Sequence, residues 1–230
     1  MGVAEDDLSS LVERLFPDGS VQAVIVETPI DEDAHTVEAL LDLGQQWRLE
    51  QGAAVLRTDR VAAMVWACTS GSFVFGWEGA RAQVDELAGF AGVPTSSTSL
   101  AFVRALELLG AGRVSIAATY PEAVTSRFVE LLADAGISVL AARSNDIMTA
   151  AQAGTVDRVT LREMVLAADH PDAEAILVPD TALHSAHSIA ELEGLTGKPV
   201  LSANQVSVWD ATRLAALSPA GDGSRLFEAR

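Results

Sequence analysis

The chain has 230 residues, enough to bury one substantial core or two small lobes. Apolar residues make up 49% and charged residues 20%, and no run approaches the roughly 18–20 apolar residues of a membrane-crossing helix. Fifteen basic against 32 acidic side chains leave a net charge of −17, which argues against nucleic acid or an anionic membrane as partner, since both need a basic face.

The start, Met1-Gly-Val-Ala-Glu-Asp-Asp, lacks the basic and apolar regions of a signal peptide, and the single cysteine excludes an intrachain disulfide. Both suit a cytoplasmic protein. Helical spacing over residues 6–15 is broken by Phe16-Pro17-Asp18-Gly19, and 21–26 reads as a strand. Residues 33–51 read as one long amphipathic helix. A connection containing Arg57-Thr-Asp-Arg60 leads to a strand over 61–67. Helices over 80–90 and 99–109 flank a short strand at 93–95. The alternation continues with strands at 114–119, 137–142, 175–179 and 200–201, and helices at 122–135, 160–168, 184–195 and 206–217. Thr160 is the expected cap of its helix, with Glu163 three residues on. Strand–helix alternation throughout implies parallel sheet with helices on its faces.

The chemistry centres on Ala63-Met-Val-Trp-Ala-Cys68-Thr69-Ser70. An apolar strand ends in the only cysteine, and a helix opens directly after it, where free N–H groups favour thiolate and bind anions. On its own, such a cysteine is more often a small buried hydrophobe. A second stretch built the same way, Ala175-Ile-Leu-Val-Pro-Asp180-Thr181, changes that weighting. Each stretch is followed by a Gly-x-Pro turn, ending at Pro94 and Pro199, 26 and 19 residues after Cys68 and Asp180. Thr95-Ser-Ser-Thr98 and Ser202-Ala-Asn204 then open the next helices. Two such halves facing each other place Cys68 and Asp180 at strand ends on opposite walls of one cleft.

Together with Ala117-Ala-Thr-Tyr120, Trp209-Asp-Ala-Thr-Arg-Leu214 and Ser224-Arg-Leu-Phe227, this pattern resembles the aspartate/glutamate racemase superfamily. The likeness is to its arylmalonate decarboxylase and maleate cis-trans isomerase branch. The resemblance implies an α/β fold of two pseudo-symmetric lobes, each a small parallel sheet flanked by helices. We divide the chain as 1–96 with 205–230, and 97–204. It also implies chemistry without a cofactor on a small mono- or dicarboxylate, with pairing into a homodimer by analogy. By resemblance, Thr69, Ser70, Tyr120 and the backbone N–H of Thr181 supply a dioxyanion pocket, and Asn204 lies at a strand end where it either touches substrate or caps a helix.

Two departures stand out. Asp180 replaces a second, often cysteine, position, and the chain passes straight into a helix where the family has a first strand with an anion-contacting Pro or Asn. A two-base racemase needs groups of matched pKa, whereas free cysteine and aspartate lie about 4–5 pH units apart, roughly 6 kcal/mol. Symmetric racemisation is therefore disfavoured. In the isomerase-like reading, placed first, the Cys68 thiolate adds to a cis-enedioate with Asp180 as acid/base partner. In the decarboxylase-like reading Cys68 protonates an enediolate. The rival from another class is a degenerate ligand-binding member.

A metal site of Asp180, His184 and His187 is weighed and set aside, because His35 and His170 stand isolated and no further segment offers a ligand. Trp47, Trp66 and Trp77 are expected in core or cleft walls, with Trp209 packing its helix on the sheet. Glu5-Asp-Asp7 and Asp31-Glu-Asp33 are expected to be solvated helix starts.

Overall fold

The computed structural model describes residues 5–57 and 60–229. The first four residues and the middle of the 57–60 connection lie outside the described residues. The chain opens with α1 (Glu5–Leu15), whose Leu8, Leu11, Val12 and Leu15 face inward. Residues 20–35 then run without regular structure. The strand expected at 21–26 is absent there because the segment enters no hydrogen-bonded ladder, and an extended run without a partner is no strand.

The single helix expected over 33–51 is two, α2 (Val37–Leu43) and α3 (Gln46–Leu56). Gly44 marks the break: a Cβ there would lie 2.3 Å from Gly71 O and 2.4 Å from the Phe75 ring. The chain turns where only glycine lets it pass so close to a neighbour. Arg48 on α3 is buried and held by Asp31 Oδ2 (2.5 Å), Asp42 Oδ2 (2.6 Å) and Pro29 O (2.9 Å).

β1 (Met64–Trp66) is shorter than the 61–67 run suggests. It pairs in parallel with β2 (Thr95–Ser97) over three positions, with Val65 opposite Ser96. Between them lie α4 (Ser70–Phe73) and α5 (Gly76–Ala91). After β2 comes α6 (Thr98–Leu109), capped by Ser97, and then β3 (Arg113–Ala118), α7 (Glu122–Asp134) and β4 (Ser138–Ser144). A short α8 (Ala150–Ala153) follows β4. α9 (Arg158–Ala168) starts earlier than expected. Its cap is Asp157, which accepts from Thr160 N–H at 2.8 Å, so Thr160 is capped rather than capping.

β5 (Ala175–Val178), α10 (Ile189–Thr196), β6 (Val200–Ser202), α11 (Ala203–Leu214) and α12 (Arg225–Glu228) complete the described chain. The second sheet has the order β4-β3-β5-β6, all parallel. The fold is thus α/β, with two small parallel sheets of two and four strands flanked by helices.

The internal duplication is visible in matched parts. Gly92 and Gly197, the glycines of the two Gly-x-Pro turns, close α5 and α10 in the left-handed conformation, at φ 73° and 70°. The equivalent helices α6 and α11 pack together, with Thr98 Oγ1 and Ser207 Oγ 2.7 Å apart. Phe73, Phe102 and Phe128 form the centre of the main core. Trp66 and Trp209 are buried as expected, whereas Trp47 is half exposed and stacks under Arg48. Among the described residues no helix is long and apolar enough to cross a membrane.

Candidate active site

Beyond β1 the chain turns sharply, with Cys68 N–H donating to Trp66 O at 2.9 Å, and enters α4 two residues later. That turn aims the Gly71 N–H and the Ser70 hydroxyl at Cys68 Sγ, and both favour thiolate. Burial outweighs them. Together with the Asp180 charge it pushes the thiol up to about 11, so Cys68 carries its proton at neutral pH.

Asp180 follows β5 in a conformation rare for a side-chain-bearing residue, at φ 110°. Holding it there costs on the order of 1–3 kcal/mol, which the surroundings must offset. They do so with named bonds. Asp180 Oδ2 accepts from Thr119 Oγ1 at 2.5 Å, and Oδ1 accepts from Ala182 N–H at 2.9 Å. Burial nevertheless raises the carboxyl above its ordinary value, against the pull of His35, Thr119 and Ala182.

Tyr120 lies just past the end of β3, buried, with its ring edge-on to His35 (4.8 Å between centroids) and Phe73 (5.7 Å). Its hydroxyl stands among Ser70, Thr69, Cys68 and Asp180. Burial, then the Asp180 and Cys68 charges, push it well above the usual phenol value, so it stays a donor. Thr69 Oγ1 is buried beside that hydroxyl and makes no well-formed hydrogen bond within the described chain. Thr181 is half-buried, and among the described residues its N–H meets no acceptor. Cys68, Thr69, Ser70, Tyr120 and Asp180 are therefore brought to one place from three separate segments.

Asn204 is placed differently. It is neither a cap nor exposed to the cleft. It lies inside the first turn of α11, which Ser202 caps, and is fully buried. Its Nδ2 donates to Asp7 Oδ2 (2.9 Å), Thr181 O (3.0 Å) and Leu183 O (3.4 Å), so it holds the Asp180 turn from behind. Asp7, expected in solvent, is buried because it accepts from Asn204 and from the Ser185 and Ala186 N–H groups. Asp33 is also spent structurally, accepting from Ala150 and Ala151 N–H at the start of α8.

Asp180, His184 and His187 do not share a helix face, since α10 begins only at Ile189. His187 instead meets Ser10 (2.9 Å) and Arg14 (3.0 Å) of α1. Among the described residues no cluster suits a metal ion.

The residue that local pattern did not single out is His35. It is buried, with Nδ1 2.7 Å from Ile147 O and Nε2 4.0 Å from Asp180 Oδ2. Its neighbours Tyr120, Ile147 and Asp180 are about 85–145 positions away, so no local pattern marks it.

Of these groups His35, Cys68, Ser70, Asp180 and Thr181 line a cavity of about 780 Å³, and Thr69 and Tyr120 are buried behind them. Its apolar wall includes Val26, Leu49, Met64 and Val208.

The arylmalonate decarboxylase family profile matches residues 45–227. Arylmalonate decarboxylase from Bordetella bronchiseptica is 31% identical over 208 residues, covering 88% of this chain and 82% of that protein. A liganded arylmalonate decarboxylase variant, with a glycine replaced by cysteine and a cysteine by serine, superposes with a TM-score of 0.85. It is 27% identical, with 96% of this chain and 93% of that one covered. A variant of maleate isomerase from Pseudomonas putida S16, solved with maleate, shares the fold at a TM-score of 0.90 and 21% identity, covering 99% and 93%. The chain belongs to the arylmalonate decarboxylase family.

Proposed function

We propose that the protein decarboxylates a malonate-type dicarboxylate bearing an apolar substituent, with Cys68 as the proton donor. The observation that carries this reading is a neutral thiol, raised to about 11, lining a cavity beside Ser70, with the Thr69 and Tyr120 hydroxyls gathered directly behind. A proton donor has to hold its proton at working pH, and this thiol does.

One substrate carboxylate sits among the Thr69, Ser70 and Tyr120 hydroxyls and the Thr181 N–H. The other faces the apolar wall, where loss of charge is favoured. Its C–C bond breaks, carbon dioxide leaves, and the electron pair passes into an enediolate held by the same donors. The Cys68 S–H bond then breaks as a C–H bond forms at the α-carbon, and the thiolate regains a proton from its surroundings. The Bordetella relative's name and the liganded variant of the same enzyme support this reading.

The isomerase reading stands second. It is favoured by the Gly71 N–H and Ser70 hydroxyl directed at Sγ, which stabilise a thiolate once formed. It requires removal of the proton first, with Asp180 the nearby base. The lone, unpaired thiol suits a reducing, cytoplasmic setting.

The test is parallel assay of phenylmalonate and an α-alkyl phenylmalonate for carbon dioxide release, and of maleate for fumarate. Release from the malonates with little conversion of maleate supports the first reading. Conversion of maleate alone supports the second, and neither reaction sinks both.

A further inference from the structure

A buried carboxylate needs a counter-charge or a proton, and the surroundings of Asp180 offer few groups. The titratable groups facing it are His35, Asp33, Cys68 and Tyr120. Of these His35 alone can be a cation. Its orientation is fixed. Nδ1 stands 2.7 Å from Ile147 O, and a carbonyl oxygen only accepts, so Nδ1 carries hydrogen. The His35 N–H donates to Met148 O at 2.8 Å, and the ring stands edge-on to Tyr120, so neither backbone nor ring is free to turn away. Nε2 is thereby aimed at Asp180 Oδ2, 4.0 Å away, with both groups about 95% buried.

We propose that His35 is the counter-charge and proton partner of Asp180, so that the wall opposite Cys68 carries a pair holding one proton between its members. With the proton on Nε2 the pair is an imidazolium beside a carboxylate. With the proton on Asp180 it is a neutral ring facing a carboxylic acid. Closure by about 1 Å brings the two into direct hydrogen bonding, and one water spans them otherwise.

Resting on the decarboxylase reading, the pair deepens it by naming the source of the proton that returns Cys68 to its working state. After the thiol S–H bond has broken to form the α C–H bond, the Asp180 O–H bond breaks and a new S–H bond forms. The pair then takes one proton from solvent, which balances the reaction. His35 is in this scheme a positioning residue that acts through Asp180.

Cys68 is the only cysteine, so alkylation by iodoacetamide reports its thiolate without any turnover. At pH 8.5, His35→Gln leaves the Asp180 charge without its partner and should slow alkylation at least about fivefold. In the Asp180→Asn background the same change should alter the rate by less than about twofold. Equal effects in the two backgrounds overturn the pair. His35→Asn, which retains a donor for Ile147 O, is measured alongside, and whichever variant keeps the wild-type melting curve is the one read.

In turnover, His35→Gln should lower kcat at least about tenfold with KM held within about threefold, and the pH profile should lose the limb belonging to the pair. An unchanged profile overturns the proposal. Absence of malonate turnover in the wild type would defeat the decarboxylase reading alone, since the alkylation cycle still decides the pair.

Discussion

Asp7 Oδ2 accepts a 2.9 Å hydrogen bond from Asn204 Nδ2, joining residues 197 positions apart directly behind the Asp180 turn. The same carboxylate accepts from Ser185 N–H at 3.1 Å and Ala186 N–H at 3.2 Å. Asp7→Ala removes all three acceptor contacts and leaves buried donors unpaired. We expect a loss of about 3 kcal/mol in urea denaturation, and a larger fall in kcat than in substrate affinity because Asp180 loses its support. Unchanged stability would contradict the buried role of Asp7.

The close passage of Gly44 by Gly71 predicts a second, more local effect. A Cβ at Gly44 would press on Gly71 O and Phe75, and Gly71 lies directly against Cys68 Sγ. Gly44→Ala should therefore destabilise by about 1–3 kcal/mol and disturb the thiol together with the fold. The check is a melting curve combined with the alkylation rate of Cys68.

The half-buried thiol also sets a pH dependence of stability. Its folded value of about 11 lies above the 9.0 of the open chain, so the folded protein holds a proton that the unfolded one has released. The stabilisation from this group is complete below about pH 9 and is lost as pH rises toward 11. Between pH 8.5 and 11 the wild type should lose up to about 2 kcal/mol more than Cys68→Ala in urea denaturation. Parallel losses in the two proteins would mean that the thiol is not held protonated.

Tyr120→Phe removes one donor from the hydroxyl cluster while keeping the ring against His35 and Phe73. Loss of one such donor should lower kcat by about 10²–10³-fold with little change in melting temperature. A kcat within about threefold of wild type would remove Tyr120 from the anion pocket.

The sheet alternation, the paired strand ends at Cys68 and Asp180, and their hydroxyl neighbours were legible because each is carried by a local pattern of strand, turn and helix start. The strand expected at 21–26 failed for a nonlocal reason: its residues are apolar enough, but no ladder takes them up. The 33–51 helix reads as one because amphipathic spacing continues across Gly44, where the close approach of α4 and Phe75 forces the break. His35 and Asp7 were hidden for the same kind of cause. Both look like polar surface residues in sequence, and their partners, Asp180 and Asn204, come from the other end of the chain.

The central claim is that the Cys68 thiol gives its proton to the α-carbon after carbon dioxide departs. The direct measurement is turnover of an α-alkyl phenylmalonate in deuterium oxide, comparing wild type with Cys68→Ala for rate and for deuterium and handedness at the product α-carbon. The account predicts a wild-type product carrying one deuterium with a single handedness, and a fall of at least about 10³-fold in kcat for Cys68→Ala. Turnover by Cys68→Ala within about twofold of wild type, with the same handedness, would contradict it.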